Sequence, residues 1–316
     1  MRLPMTVRIG SRQMYKNVLR PYLLILFFAI AGCHRDAPST TMLRQVVDDT
    51  GRTVSIPTHP TRVLSLAPSI TEVAFAAKAQ NQLVAVTTVD NYPPDVQSLA
   101  RITAFPLDHE GIVAMGPDLV LATDQINSVR GVGALSGVGI PAYFLRFNVA
   151  SDVFRAIRTV GYLLGTQDLA NAAADSLETT WKSLLSASDT VTYKPKVLLL
   201  AGYDVLYAFG RDSYTSEIVR AAGGKSVTDR LEGQAATLSD EFVLAEQPEI
   251  IVGTFGESFD VTQITDAHPT WHSVPAIAGG YVYSIDPDLI SRPGPRIIDG
   301  ARTIGRWVEA FKRDGN

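Results

Sequence analysis

The sequence predicts an α/β fold of two similar lobes with mainly parallel sheets flanked by helices, joined by one long rigid helix. The first reason is a segment that occurs twice. Residues 110–123 read EGIVAMGPDLVLAT and residues 241–254 read EFVLAEQPEIIVGT, aligning without a gap: Glu110 on Glu241, Pro117 on Pro248, Asp118 on Glu249. Each copy is a short apolar-periodic run led by an acid, then a proline, then a β-rich apolar stretch, which reads as helix, turn and buried strand. One repetition roughly 130 residues apart means two lobes, since a solenoid needs about three or more repeats at a short period. The second reason is the alternation of strand and helix patterns around both copies, which implies parallel sheets with crossover connections. The third is residues 151–188, a helical pattern with no strand signal.

The chain has 316 residues, 46% hydrophobic and 19% charged, with a formal net charge of −4. That is ordinary globular composition and enough for two cores. Residues 1–32 carry five basic residues (Arg2, Arg8, Arg12, Lys16, Arg20) and no acid, so the remainder holds 23 basic against 32 acidic residues, a net −9. Such a body has no electrostatic footprint for nucleic acid. The apolar run Pro21–Gly32 is short for a membrane span, which needs about 20 residues, but suits the core of a secretion signal. Cys33, the only cysteine, follows directly. Ile30-Ala31-Gly32-Cys33 resembles the lipobox of bacterial lipoproteins, which implies lipidation of Cys33. Residues 1–32 are then a signal peptide and residues 33–44 a flexible polar tether.

The N-terminal lobe is assigned to residues 45–150. Gln45–Pro57 alternates polar and β-branched residues about Asp49-Thr50-Gly51, the pattern of a hairpin. Val63–Leu66 is a strand. Ser69-Ile70-Thr71-Glu72 matches a capping box at the next helix, with Glu72 returning a hydrogen bond to the helix start. Leu83–Thr87 is a second strand, Asp90–Pro94 a loop, and residues 142–145 a strand after a glycine-rich turn. Residues 151–190 form the helical connector, divided at Gly165-Thr166 with Thr166 as N-cap. From Gln167 to Ser188 a helix would run about 33 Å at 1.5 Å per residue, long enough to cross between lobes. The C-terminal lobe, residues 191–316, restarts with the strand Lys196–Ala201, a loop bearing Tyr203 and Tyr207, and a helix at 216–222 stopped by Gly223-Gly224.

Enzyme signatures are missing. Gly224-Lys225-Ser226 looks like the end of a phosphate loop, but Val219 stands where that motif needs glycine. Gly256–Ser258 lacks the second glycine of a nucleophile elbow, and the one cysteine precedes the fold. His268 and His272 have the spacing of two ligands on one helix face, but Pro269 pushes His268 out of helical geometry, so no metal site is assigned.

RVLSLAPSITEVAFAA, DNYPPDV, EGIVAMGPDLVLAT, the long mid-chain helix, SDEFVLAEQPEIIVG and SRPGPR together resemble the substrate-binding proteins of ABC importers. More narrowly, they are similar to the group whose lobes are joined by a single rigid helix and which carries vitamin B12, haem and iron–siderophore complexes. The resemblance spans residues 45–312. It implies a non-enzymatic monomeric carrier in the periplasm, lipid-anchored to a membrane and serving an ABC permease with its ATPase. It implies that Glu110 and Glu241 pair with permease arginines, although Asp108, Asp240 and these glutamates would equally favour their helix N-termini. The ligand is expected between the lobes. Phe105 stands where the B12-binding branch has a stacking tryptophan, and Tyr92, Tyr203 and Tyr207 offer further flat surfaces. Arg292 and Arg296 could meet acids or amides of a ligand in paired hydrogen bonds. A corrinoid is the first expectation, from the SLAPSITE, NYPP and RPGPR stretches. Haem or a ferric siderophore is the alternative, with Tyr203, Tyr207 or His109 as an axial ligand to haem. Several cleft tryptophans of the B12-binding branch have no counterpart.

Overall fold

The computed structural model describes residues 42–314, and in it the alternation of the sequence becomes two sheets. The signal segment 1–32 and Cys33 lie outside the described residues. No helix among the described residues is long and apolar enough to cross a membrane.

Strands β1 (Leu43–Val47) and β2 (Thr53–Pro57) form an antiparallel hairpin, with Leu43 opposite Pro57. Its turn places Gly51 at φ +84°, where a side chain would be strained. Leu43 and Arg44, assigned to the tether from sequence, are therefore already in a strand. The N-terminal sheet orders β5 (Ala100–Ile102), β4 (Leu83–Thr87), β3 (Val63–Ser65), β6 (Leu119–Thr123) and β7 (Ala142–Leu145), all parallel. Helices α1 (Pro68–Ala76), α2 (His109–Met115) and α3 (Val129–Gly133) connect them.

Two helices follow, α4 (Ala150–Leu164) and α5 (Gln167–Asp189), separated at Gly165 with φ +77°. Thr166 occupies the N-cap position of α5, but its hydroxyl does not cap. It donates to the Ala77 carbonyl at 2.6 Å instead, so the start of α5 is tied to the end of α1. From the other end of α5 the chain passes into the C-terminal sheet. That sheet orders β11 (Ala235–Thr237), β9 (Tyr207–Phe209), β8 (Lys196–Leu200), β12 (Ile250–Gly253) and β13 (Val282–Ser284), with β10 (Lys225–Ser226) also on β8. Here β8–β9 and β9–β11 are antiparallel. Only residues 201–206 separate β8 from β9, too few for the crossover that parallel strands require. Helices α6 (Tyr214–Ala221), α7 (Asp240–Glu246), α8 (Val261–Ala267), α9 (Pro275–Ala278) and α10 (Ile297–Asp314) complete the chain.

The central strands are apolar throughout because both sheet faces are covered. Alternate residues go to different cores. Leu119, Leu121, Val197, Leu199, Ile250 and Val252 join one cluster that runs through both lobes and includes Trp181 of α5. Val120 and Ala122 face a cluster private to the N-terminal lobe, while Leu198, Leu200 and Ile251 face one private to the C-terminal lobe. The lobes thus share the core on one face of each sheet, and α5 packs against α1 on one side and α6 and α10 on the other.

The sequence repeat is a structural repeat down to single hydrogen bonds. Asp108 caps α2 by accepting from Gly111 N, and Ser239, at the equivalent position, caps α7 by accepting from Phe242 N. Both helices end on a left-handed residue, Gly116 (φ +55°) and Gln247 (φ +48°). Asp118 accepts from Arg62 N at 3.0 Å, and Glu249 from Lys196 N at 2.8 Å, which fixes the register of β3 on β6 and of β8 on β12. Arg62 then donates to the Met115 carbonyl and Lys196 to the Glu246 carbonyl, each closing the C-terminus of its lobe's helix.

Glu72 overturns its expected role. Pro68 takes the first helical position of α1, so Ala67 is the N-cap and no side chain caps the helix. Glu72 lies one turn in, 3% exposed, and accepts from Arg296 of the other lobe in a bidentate pair, Nε at 2.9 Å and Nη2 at 2.6 Å. Arg292 stands 3.9 Å from the same carboxylate and bonds Asp288 at 2.9 Å and Asn91 Oδ1 at 2.6 Å. Gly294 lets the Arg292–Arg296 loop come this close, since a Cβ there would lie 3.2 Å from Glu72 Oε2. Burial pushes the Glu72 carboxyl up from its ordinary range, while the hydrogen bond and charge of Arg296 and the charge of Arg292 pull the other way. Breaking a buried pair leaves the surviving charge uncompensated, so Glu72→Ala should lower unfolding stability by about 3–5 kcal/mol in urea titration. The paired Glu72→Leu/Arg296→Leu change should recover most of that loss.

Candidate functional site

The two lobes enclose a cavity of about 420 Å³, open to solvent. From the N-terminal lobe it takes Pro68 and Ser69, which begin α1 just beyond β3, and Gln125 and Ile126, which follow β6. These are carboxyl ends of parallel strands, where ligands of open α/β sheets bind. From the C-terminal lobe come Tyr207 and Phe209 of β9, Ser213 and Tyr214 at the start of α6, Gln234 and Ala235 beside β11, and the loop Ser291–Pro293. Gln234 also reaches across the lobes, its amide donating to Asn148 Oδ1 at 2.6 Å. The wall is aromatic and amide-rich. Arg292 is the only charged side chain among the lining residues.

Of the residues singled out in the sequence, Tyr207 and Arg292 line this cavity and the others do not. Tyr207 is 44% exposed and meets Phe209 edge to face, with ring centroids 6.4 Å apart. The Arg292 guanidinium is engaged by Asn91, Asp288 and the Val89 carbonyl. Arg296 is held by Glu72 and lies over the Tyr92 ring, 4.3 Å from its centroid, so Tyr92 buttresses the ion pair. Phe105 is 82% exposed. Its loop is tied to the loop of Gln125 and Ile126 by Asn127, whose amide donates to Ala104 O at 3.5 Å. Tyr203 is half-buried against Phe255 and Phe259, at 5.8 and 6.2 Å. The side chains of Ser69, Gln125, Phe209, Ser213 and Gln234 were not anticipated, because their place depends on which strand ends face each other.

Glu110 and Glu241 are both exposed, in the first turns of α2 and α7, and neither makes an ion pair among the described residues. A hydrogen bond from Ser239 holds the Glu241 carboxyl below its usual range. His109, beside Glu110, bonds the Gly131 carbonyl through Nε2 at 3.0 Å and is not among the cavity's lining residues. His268 is buried in the break between α8 and the turn that follows it. Its Nδ1 lies 2.7 Å from Asp240 Oδ1, its Nε2 2.7 Å from the Tyr203 carbonyl, and its ring stacks on Trp271 at 4.4 Å. It thereby holds the start of α7, next to Glu241. Among the described residues no group of three or more His, Cys, Asp or Glu is placed to hold a metal ion.

Comparison with known proteins agrees with this arrangement. Residues 63–289 match the family model described as periplasmic binding protein. An uncharacterized ABC transporter substrate-binding lipoprotein of Bacillus subtilis, YvrC, is 27% identical over 309 residues, covering 92% of this chain and 96% of the relative. A vitamin B12-binding protein of Vibrio parahaemolyticus is 25% identical over 254 residues, covering 80% and 90%. Among solved structures, the periplasmic heme-binding protein RhuT from Roseiflexus, in apo form, superposes with a TM-score of 0.71 at 24% identity, covering 79% of this chain and 98% of that one. With two sheets bridged by α5 and a cavity between them, the chain belongs to the periplasmic binding protein family, as a substrate-binding protein of ABC transport.

Proposed function

We propose that the protein captures a corrinoid in the cavity between its lobes and delivers it to an ABC permease and its ATPase. The observation that supports this best is the cavity wall: aromatic faces and uncharged amides with a single, internally neutralised guanidinium. Flat stacking surfaces and amide partners suit a large conjugated ring fringed with amides, and a volume of about 420 Å³ with an open mouth holds part of such a ligand while the rest protrudes. The work is binding, with no covalent step. Phe105, exposed on a loop tied to the wall, supplies a further stacking face, and Tyr92 keeps Arg296 in place. Tyr203 acts from behind, through the aromatic group it forms with Phe255 and Phe259.

Haem or a ferric siderophore is the second reading. Tyr207 favours it, since a phenol in the cavity wall can serve as an oxygen ligand to iron. On either reading Cys33 carries lipid and keeps the protein at a membrane of the cell envelope, where it works as a monomer. Glu110 and Glu241 then engage basic residues of a permease with two similar subunits. Their identical placement in the two repeats and their lack of ion-pair partners among the described residues support that role.

Calorimetric titration of protein lacking residues 1–33 with cyanocobalamin, haemin and ferric siderophores should give saturable one-site binding to the corrinoid. Binding to none of the three removes the ligand class, and binding to haemin or a siderophore alone decides for the second reading. Tyr207→Ala and Phe105→Ala should each weaken binding roughly tenfold, the scale of a lost aromatic stacking contact. In a cell-based uptake assay, Glu110→Ala and Glu241→Ala should each cut transport about tenfold while calorimetric affinity stays unchanged, because exposed charges steer a partner rather than hold a ligand. Uptake at the wild-type rate in the double variant removes the docking role.

A further inference from the structure

Two glutamines stand in the cavity wall, one from each lobe, and both commit a donor to the same stretch of chain. Gln125 follows β6 and its side-chain Nε2 donates to the Phe147 carbonyl at 2.6 Å. Gln234 stands beside β11, and its Nε2 donates at 2.6 Å to Oδ1 of Asn148, the next residue. The polarity at Gln125 is fixed, because a backbone carbonyl can only accept and the amide must turn its NH2 toward it. Both glutamines are held from behind. Gln125 N–H donates to Thr123 Oγ1 at 3.4 Å, and the Gln234 carbonyl accepts from Gly210 N at 3.0 Å. Asn148 is held too, its N–H donating to Asp152 Oδ2 at 2.8 Å, while Arg155 bonds the other oxygen of that carboxylate at 3.1 Å. Both glutamines are exposed, and neither Oε1 has a hydrogen-bond partner among the described residues. The wall therefore meets a ligand with two amide oxygens, one from each lobe.

We infer that Gln125 and Gln234 select a carboxamide over a carboxylate on the edge of the ligand, an inference that rests on the cleft-binding reading above. A carboxamide brings two N–H donors and can serve either oxygen or both. A carboxylate brings only acceptors. It finds two like dipoles in the wall, and the one cation there, Arg292, already bonds Asn91, Asp288 and the Val89 carbonyl. Its water is lost without replacement, which is costly for a charged group. Discrimination of this kind is strong, because the wrong group leaves polar atoms unpaired, whereas one more or one fewer apolar contact separates ligands weakly.

The test holds the ring constant and changes only its fringe. Protein lacking residues 1–33 is titrated calorimetrically with cyanocobalamin and with each of its singly hydrolysed monocarboxylic acids, at neutral pH where the acid is ionised. At least one monoacid should bind the wild type about tenfold more weakly than the parent, the scale of a polar group left unpaired. Gln125→Met and Gln234→Met keep the length of the side chain without its amide, and each should narrow that gap to about threefold or less. Gln234→Arg, at an exposed position, should reverse the preference, because a guanidinium pairs with a carboxylate. Thermal melting of each variant at the wild-type temperature shows that the fold is kept. Equal binding of the parent and every monoacid to the wild type, or a gap of full size in both Met variants, overturns the inference and leaves the cleft-binding reading standing. If haemin binds and cyanocobalamin does not, the same comparison is made between haemin and its bisamide. The bisamide should then bind about tenfold more tightly, and equal or weaker binding overturns the inference. Binding of neither ring removes the cleft-binding reading and the inference together.

Discussion

The two-lobed arrangement depends on one buried carboxylate. Glu72 sits in the first helix of the N-terminal lobe, yet both of the charges that answer it belong to the C-terminal lobe. A carboxylate this deep is tolerated only if its lone pairs are filled and its charge is met, and Arg296 does both at once through its planar fork. Arg292 is then committed to Asn91 and Asp288, and Arg296 lies over the Tyr92 ring. Because Arg292 also forms part of the cavity wall, the cluster that joins the lobes is the same one that shapes the cleft between them. Its charges are balanced internally, so the wall presented to a ligand is close to neutral. This differs from a site in which free arginines wait for an acid.

The shared core works in the same direction. Each sheet gives one face to a private cluster and the other to a common one that continues through α4, α5 and α10. Alternation along a strand decides which residue goes where, since successive side chains point to opposite faces. The repeat of β3–α2–β6 in β8–α7–β12 extends to the helix caps, the left-handed stops and the acid that sets strand register. Equivalent positions in the two lobes therefore carry equivalent mechanical jobs, and Glu110 and Glu241 inherit matching surroundings.

What could be read from the chain was local or periodic. The repeated helix, turn and strand came from fourteen residues with strong apolar patterning, and both copies have that form. The long helix came from period alone. Glu72 departs from its local pattern for the same reason: Ser69 to Glu72 fits a capping box locally, but Pro68 at the first helical position moves the cap to Ala67, and the true partner is 224 residues away. Thr166 has the right place for a cap, but the Ala77 carbonyl takes its hydroxyl. Strand β5 is three residues long and leaves no periodic trace. Among the aromatics, nothing local separates Tyr207, which a strand delivers to the cleft, from Tyr203, which a loop turns into the lobe.

The connector has a last consequence. Helix α5 contains no glycine or proline from Gln167 to Asp189, its start is tied to α1 through Thr166, and one face of it joins the common core through Ala170, Ala174 and Trp181. Nothing in it can fold like a knee. Full and vacant carriers then hold Glu110 and Glu241 at nearly the same separation, and on the docking role proposed above a transporter would meet both as near-equal callers. Empty molecules become competitors for the doorway, so import would slow when the protein greatly outnumbers its cargo.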